Sequence, residues 1–212
     1  MSTIRLRFIL LGILAAGLGT LTGTVLWLKF APHPGLQRTA EGSLNGLNEY
    51  GSVPEFSLVE RTGKKVSLKE LRGGIWIADF IYTSCTDTCP LQTAEMAKLQ
   101  NELIKEPGVN LVSFSVDPDK DTPSALTRYA NQFNADRERW LFLTGDKKQI
   151  TELVQNGFHL SATTASDEPD LILHSPRFVL VDRQGQIRGY YDSREQAALR
   201  RLRTDVRRLM NQ

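Results

Sequence analysis

The segment DFIYTSCTDTCP, residues 79–90, contains both cysteines of the chain, Cys85 and Cys89, with three residues between them. The apolar run IWIADFIY ends at Tyr82 and is long enough for a buried strand, while a helical pattern starts near Pro90. The two thiols therefore fall on the turn from a strand into a helix. If that turn is helical, an i,i+4 pair lies on one face of it. Unpaired N–H groups and the positive end of the helix dipole point at such a turn and favour thiolate over thiol. Nucleophiles and metal ligands both need the thiolate.

Three uses of such a pair are open. A structural Cys85–Cys89 disulfide would close a five-residue loop, worth about 2 kcal/mol in the chain-entropy account, and would join no separate elements. A redox pair would pass electrons, although thioredoxin-type exchange motifs space their cysteines by two residues and not three. A peroxidase would also need a peroxide pocket, and no motif here supplies one. A metal site is the third use. Two thiolates suit Cu(I), and an added imidazole makes a three-ligand set that also suits Cu(II). Structural zinc normally wants four Cys or His ligands, which this pair and one histidine do not reach.

The third ligand has three candidates among the histidines. His33 lies in KFAPHPG and reads as an exposed linker residue, and His159 in NGFHLSA reads as a surface or turn residue. His174 lies in LILHSPRFVLVD, directly before an apolar run that would pair beside the strand leading to Cys85. Ends of adjacent strands bring together ligands distant in sequence. By position, His174 is either a ligand or a satisfied loop histidine.

The elements that must position these residues alternate between strand and helix from about residue 51. FSLVERTGKKVSL reads as a hairpin turning at Thr62-Gly63. Residues 90–106 place Leu91, Ala94, Met96, Leu99, Leu103 and Ile104 near helical spacing, and VNLVSFSV is a second buried strand. Thr122-Pro123 is an N-cap followed by proline at the first helical position. WLFLT is a strand, DKKQITELVQNGF a helix, and PRFVLVD with QIRGYY a hairpin around Arg183-Gln184-Gly185. The last helix starts near Ser193, with Leu199, Leu202, Val206 and Leu209 on one face and six arginines from Arg194 to Arg208 mostly around them. That helix packs one face and solvates the other; a membrane-surface role is the rival reading. The pattern is that of an α/β sandwich with a mixed central sheet. Asp117-Pro118 reads as a turn and Asp121 as a helix-start residue, both structural.

The chain has 212 residues, 41% hydrophobic and 24% charged, and a net charge of +2 that gives no reason to expect a nucleic-acid partner. Its N-terminus differs from the rest. Phe8 to Leu28 is 21 residues without a charge, enough to span a hydrocarbon core of ~30 Å. Arg5 and Arg7 precede the run, which predicts a cytoplasmic tail at residues 1–7, an anchor at 8–28 and an extracytoplasmic, periplasmic domain. Trp27 sits where an interfacial aromatic is expected. A cleaved signal peptide is the rival, but its apolar region is usually about 7–15 residues and ends at a small-residue site. Residues 29–50, with Pro32 and Pro34, read as a linker to a domain at 51–212. Outside the cytoplasm, two thiols become a disulfide unless a reductant or a metal holds them.

Three segments carry a resemblance to the Sco/SenC family of copper-binding, thioredoxin-like proteins. FIYTSCTDTCP resembles the family's Cys-x-x-x-Cys-Pro segment, SFSVDPDKDTP its Val-Asp-Pro-x-x-Asp-Thr-Pro segment, and HSPRFVLVDRQGQIRGYYD its His-Ser segment with the hairpin after it. Their order agrees, and the likeness covers about residues 50–209. The resemblance implies a thioredoxin-like sandwich with a mixed central sheet, preceded by one transmembrane helix. It also implies a copper site of Cys85, Cys89 and His174, and delivery of copper to the CuA centre of cytochrome c oxidase. A thiol reductase would then be needed as a partner to keep the cysteines loadable. Pro176, two residues after His174, stands near where thioredoxins place a proline opposite their cysteines, which would suit thiol exchange. A thiol-disulfide oxidoreductase acting on acceptor cysteines, and a redox or copper sensor, are the alternative functions.

Overall fold

The computed structural model describes residues 47–103, 106, 108–160 and 176–212. The expected anchor at 8–28, His33 and His174 lie outside these residues. Among the described residues no helix is long and apolar enough to cross a membrane.

One mixed sheet organises the domain. Its inner strand β3 (Ile75–Ile81) pairs in parallel with β4 (Val109–Ser115) on one side and antiparallel with β6 (Arg177–Val181) on the other. β5 (Trp140–Thr144) extends the parallel part, and β7 (Ile187–Asp192) closes the hairpin with β6. The hairpin β1 (Ser57–Glu60) and β2 (Lys65–Ser67) turns at Gly63, whose φ of +88° needs glycine, and adds antiparallel to β5. The seven strands run in the order β2-β1-β5-β4-β3-β6-β7.

β3 is buried at every residue because helices cover both faces of the sheet. Its alternate side chains divide two cores. Ile75, Ile77 and Ile81 face α2 (Thr88–Glu102), α3 (Pro123–Gln132) and α5 (Gln196–Met210), while Trp76, Ala78 and Phe80 face the β1–β2 hairpin, the short α1 (Leu68–Leu71) and α4 (Lys147–Glu152). The second core is aromatic: Phe114 lies 5.6 Å from Phe80 and 5.4 Å from Phe158, ring centre to ring centre. α5 packs as its pattern predicts, burying Leu199, Leu202, Val206 and Leu209 under the sheet. Leu47 already packs against the first core, and Arg188 Nη2 donates to its carbonyl at 2.6 Å.

α3 opens as expected, with Pro123 in its first turn and the Thr122 hydroxyl accepting from the Ala125 N–H at 3.3 Å. Removing such a cap costs about 1 kcal/mol. Thr122→Ala is expected to lower the unfolding free energy by that amount in urea denaturation.

α2 departs from expectation. Leu91 falls on the apolar spacing, yet it is 68% exposed. The helix starts at Thr88, and the inward face is Cys89, Gln92, Thr93, Met96 and Leu99. Two polar residues and a thiol occupy core positions there beside Met96 and Leu99, which the hydrophobic spacing does place inward; the spacing errs at Leu91 and passes over the polar members of the face. Leu91→Ser is therefore expected to change stability by less than about 0.5 kcal/mol, the usual range for a surface site.

Candidate functional site

The turn between β3 and α2 places the two sulfurs. Cys85 N–H donates to the Tyr82 carbonyl at 3.2 Å, which closes a tight turn straight off the strand. α2 then begins without a side-chain cap from Asp87. Instead Cys89 N–H donates to the Cys85 sulfur at 3.4 Å, so a sulfur stands where a capping oxygen would. Both cysteines are unbridged and buried.

The two thiols are electrostatically unlike. Burial opposes charge on Cys85, but the Asp87 and Cys89 backbone N–H groups, the Cys89 thiol and the Tyr82 hydroxyl all donate to its sulfur and bring its pKa down to about 7. Burial pushes Cys89 up to about 12; its hydrogen bond to Cys85 and the nearby charges of Cys85 and Asp79 add to that, against one opposing bond from the Tyr82 N–H. Near neutral pH Cys85 is about half thiolate, while Cys89 remains a thiol. Tyr82 serves both sulfurs, the side chain on one and the backbone on the other.

Beneath the sulfurs lies a buried polar layer. Thr93 Oγ1 donates to the Cys89 carbonyl at 2.8 Å and meets the Tyr129 hydroxyl at 2.8 Å. Asp79 is fully buried on the same face of β3, level with Ser113 of β4. Neither of its oxygens has an aligned donor, and the Gln92 amide nitrogen also lacks a partner, among the described residues. Burial drives the Asp79 pKa up to about 7, offset only in part by the Ser113 hydroxyl and the Gln92 amide.

Of the expected ligands, the structure brings Cys85 and Cys89 together. His174 lies outside the described residues, as does the peptide bond that joins Ser175 to Pro176. His159 is not at the site. It follows Phe158, which is buried in the core on the opposite face of the sheet from the cysteines. Among the described residues no group of three Cys, His, Asp or Glu is close enough to hold a metal ion.

A comparison with known families decides the lineage. The profile of SCO1/SenC matches residues 47–211. The chain belongs to the SCO1/SenC family. The SCO1 protein homolog of Bacillus subtilis is 35% identical over 157 residues, 73% of this chain and 81% of that protein. The structure of BsSco, a member of the Sco family of cytochrome c oxidase assembly proteins in which a disulfide switch was identified, aligns with a TM-score of 0.68 at 33% identity. That alignment covers 78% of this chain and 97% of BsSco. Copper-bound ScoI of Arabidopsis thaliana shares the fold, with a TM-score of 0.61 at 24% identity over 75% of this chain and 98% of that one.

Three residues at the site of this Sco/SenC chain have roles that the sequence does not show. Asp79 carried a signal, as the one charge within the apolar run IWIADFIY. Tyr82 carried none, because a tyrosine at a strand end is ordinary. Asp121 read as a helix-start residue, but Thr122 caps α3 and the Asp121 carboxylate turns toward Thr83.

Proposed function

We propose that this protein is a membrane-anchored copper carrier. It holds copper through Cys85, Cys89 and His174 and passes it to the CuA subunit of cytochrome c oxidase. The observation that carries the reading is the pair of unbridged sulfurs in one hydrogen-bonded unit, with the Cys85 pKa brought down to about 7 by the donors around it. Two soft sulfur ligands in reach of one ion, with an imidazole, suit copper. Sheet register supports His174 as that imidazole. Ala78 pairs with Val179 in antiparallel fashion, so β6 begins at the sheet edge where β3 delivers Cys85. His174 precedes Arg177, the first residue of β6, by three positions. The copper-bound ScoI relative and the oxidase-assembly role of BsSco point the same way. The anchor at 8–28 would keep the domain at the outer face of the membrane, where a thiol reductase would return the cysteines to their reduced form.

Loading requires the Cys89 proton to leave, because a thiolate and not a thiol binds the ion. Delivery is ligand exchange: an acceptor's own ligands replace the three in turn, with no net redox change.

The thiol asymmetry also favours a second reading, an oxidoreductase. The Cys85 thiolate would attack an acceptor disulfide, and Cys89 would resolve the mixed disulfide. The acceptor leaves as two thiols and the protein as a Cys85–Cys89 disulfide, two electrons having passed to the acceptor.

Anaerobic titration of the reduced protein with Cu(I) against a competing chelator separates the two. The carrier predicts one copper per chain, with Cys85→Ser, Cys89→Ser and His174→Ala each weakening affinity by roughly tenfold or more, about 1.4 kcal/mol. Unchanged affinity in His174→Ala removes that residue from the site. No competitive binding, with a readily reducible disulfide instead, favours the oxidoreductase.

A further inference from the structure

Asp121 is completely buried, and its carboxylate is aimed at the turn that presents Cys85. Thr83 N–H donates to both oxygens, at 3.2 and 3.1 Å, and the Thr83 hydroxyl donates at 2.6 Å. From the β4 side the Ser115 hydroxyl donates at 2.6 Å. The loop holding the carboxylate is itself closed by Asp121 N–H donating to the Asp117 carbonyl at 2.9 Å. Val116 N–H donates to the Ile81 carbonyl at 2.8 Å, so the β4 loop and the cysteine turn are joined just beyond the strands.

Thr83 is the second residue of the turn that Cys85 N–H closes on Tyr82. A buried carboxylate without donors is costly, and here the cysteine turn itself supplies most of them. Carboxylate and turn therefore fix each other. Helix capping does not explain Asp121, since the Thr122 hydroxyl does that for α3. Neither oxygen of Asp121 bonds a sulfur, so its effect on the site is indirect.

We propose that Asp121 is a positioning residue for the thiol site: through Thr83 it holds the Tyr82–Cys85 turn so that the Cys85 sulfur meets the N–H groups that open α2. This deepens the proposed function, resting on Cys85 as a working sulfur of the site, and it can be read without copper.

The test uses the full chain, reduced and metal-free. Iodoacetamide labelling of Cys85 is followed against pH, with the modified peptide identified by mass spectrometry and urea denaturation run in parallel. Asp121→Asn replaces one acceptor oxygen with a donor facing the Thr83 N–H, and the labelling midpoint is expected to rise by about one pH unit toward the ordinary thiol value. Thr83→Val keeps the shape and removes one donor, so a smaller rise in the same direction is expected. Leu153→Ala is the control. It empties a buried site in the core on the other face of the sheet, a loss typically of about 2–5 kcal/mol, and should leave the midpoint in place.

An unmoved midpoint in both Asp121→Asn and Thr83→Val overturns the proposal, as does an equal rise in Leu153→Ala. If Asp121→Asn does not fold, Thr83→Val decides alone. Cu(I) competition on the same proteins keeps the two ideas apart. A wild type that binds no copper defeats the carrier reading, while the labelling midpoints still judge Asp121.

Discussion

Asp79→Asn is expected to raise the unfolding free energy of the reduced protein by about 4 kcal/mol at pH 8, and by little near pH 4. The carboxyl ionises near 3.8 when unfolded and at about 7 in the fold, where burial penalises the charge and the Ser113 hydroxyl and Gln92 amide offset it only in part. A raised folded pKa means that the folded state binds the proton more tightly. Its stabilising contribution is complete below the unfolded value and is lost as pH rises from about 4 through 7. A shift of three pKa units corresponds to about 4 kcal/mol. The asparagine carries no charge to bury, so the difference between the two proteins should grow across that window and level off above it. Cys85 titrates with the opposite sign: its depressed pKa adds stability as pH rises from about 7 toward the ordinary thiol value, outside most of the Asp79 window. Urea denaturation of both proteins from pH 4 to 8 measures the difference curve. A flat curve would mean that Asp79 is solvated or paired, and the orphaned carboxylate would be wrong.

The second large effect is kinetic. Iodoacetamide at pH 7 is expected to label Cys85 a few hundredfold faster than Cys89 in the reduced, metal-free protein. A thiol near 7 is about half ionised at that pH, whereas one near 12 is ionised to roughly one part in 10⁵. Intrinsic nucleophilicity rises with pKa at a Brønsted slope of about 0.4–0.5, which returns about two decades to Cys89 and leaves a net ratio of ~10²–10³. The cause is geometric. Cys85 receives the N–H groups at the start of α2, the Tyr82 hydroxyl and the Cys89 thiol, while Cys89 lies deeper and closer to Asp79. Comparable labelling of both residues would show that the turn does not distinguish them. Such a result would remove the thiolate–thiol unit on which both proposed functions depend.

Much of this architecture was legible because short-range physics wrote it. β3 is a run of apolar side chains between turn signals, α3 opens with Thr122-Pro123, and α5 repeats leucine and valine at three and four residues. Each pattern follows from how one element meets one core, and each appears in the fold where the pattern put it. The α2 face was legible only at Met96 and Leu99. Its inward residues include Cys89, Gln92 and Thr93, which a hydrophobic count discards, while Leu91 counts as apolar and points outward. The site needs polar groups under the sulfurs, and that need overrides the usual pattern.

The sequence by itself determined the two cysteines at i,i+4, the helix start beneath them, and the family likeness carried by three segments in order. It also confined the histidine candidates to three. Tertiary structure alone decided which sulfur is the thiolate, because that depends on depth and on donors from the turn and the helix start. It alone joined Asp121 to Thr83 across 38 residues, and buried Asp79 beside Ser113 without an aligned donor. Spacing along a chain reports which residues share an element. Hydrogen-bond partners and desolvation arise between elements, and only the packed sheet brings those together.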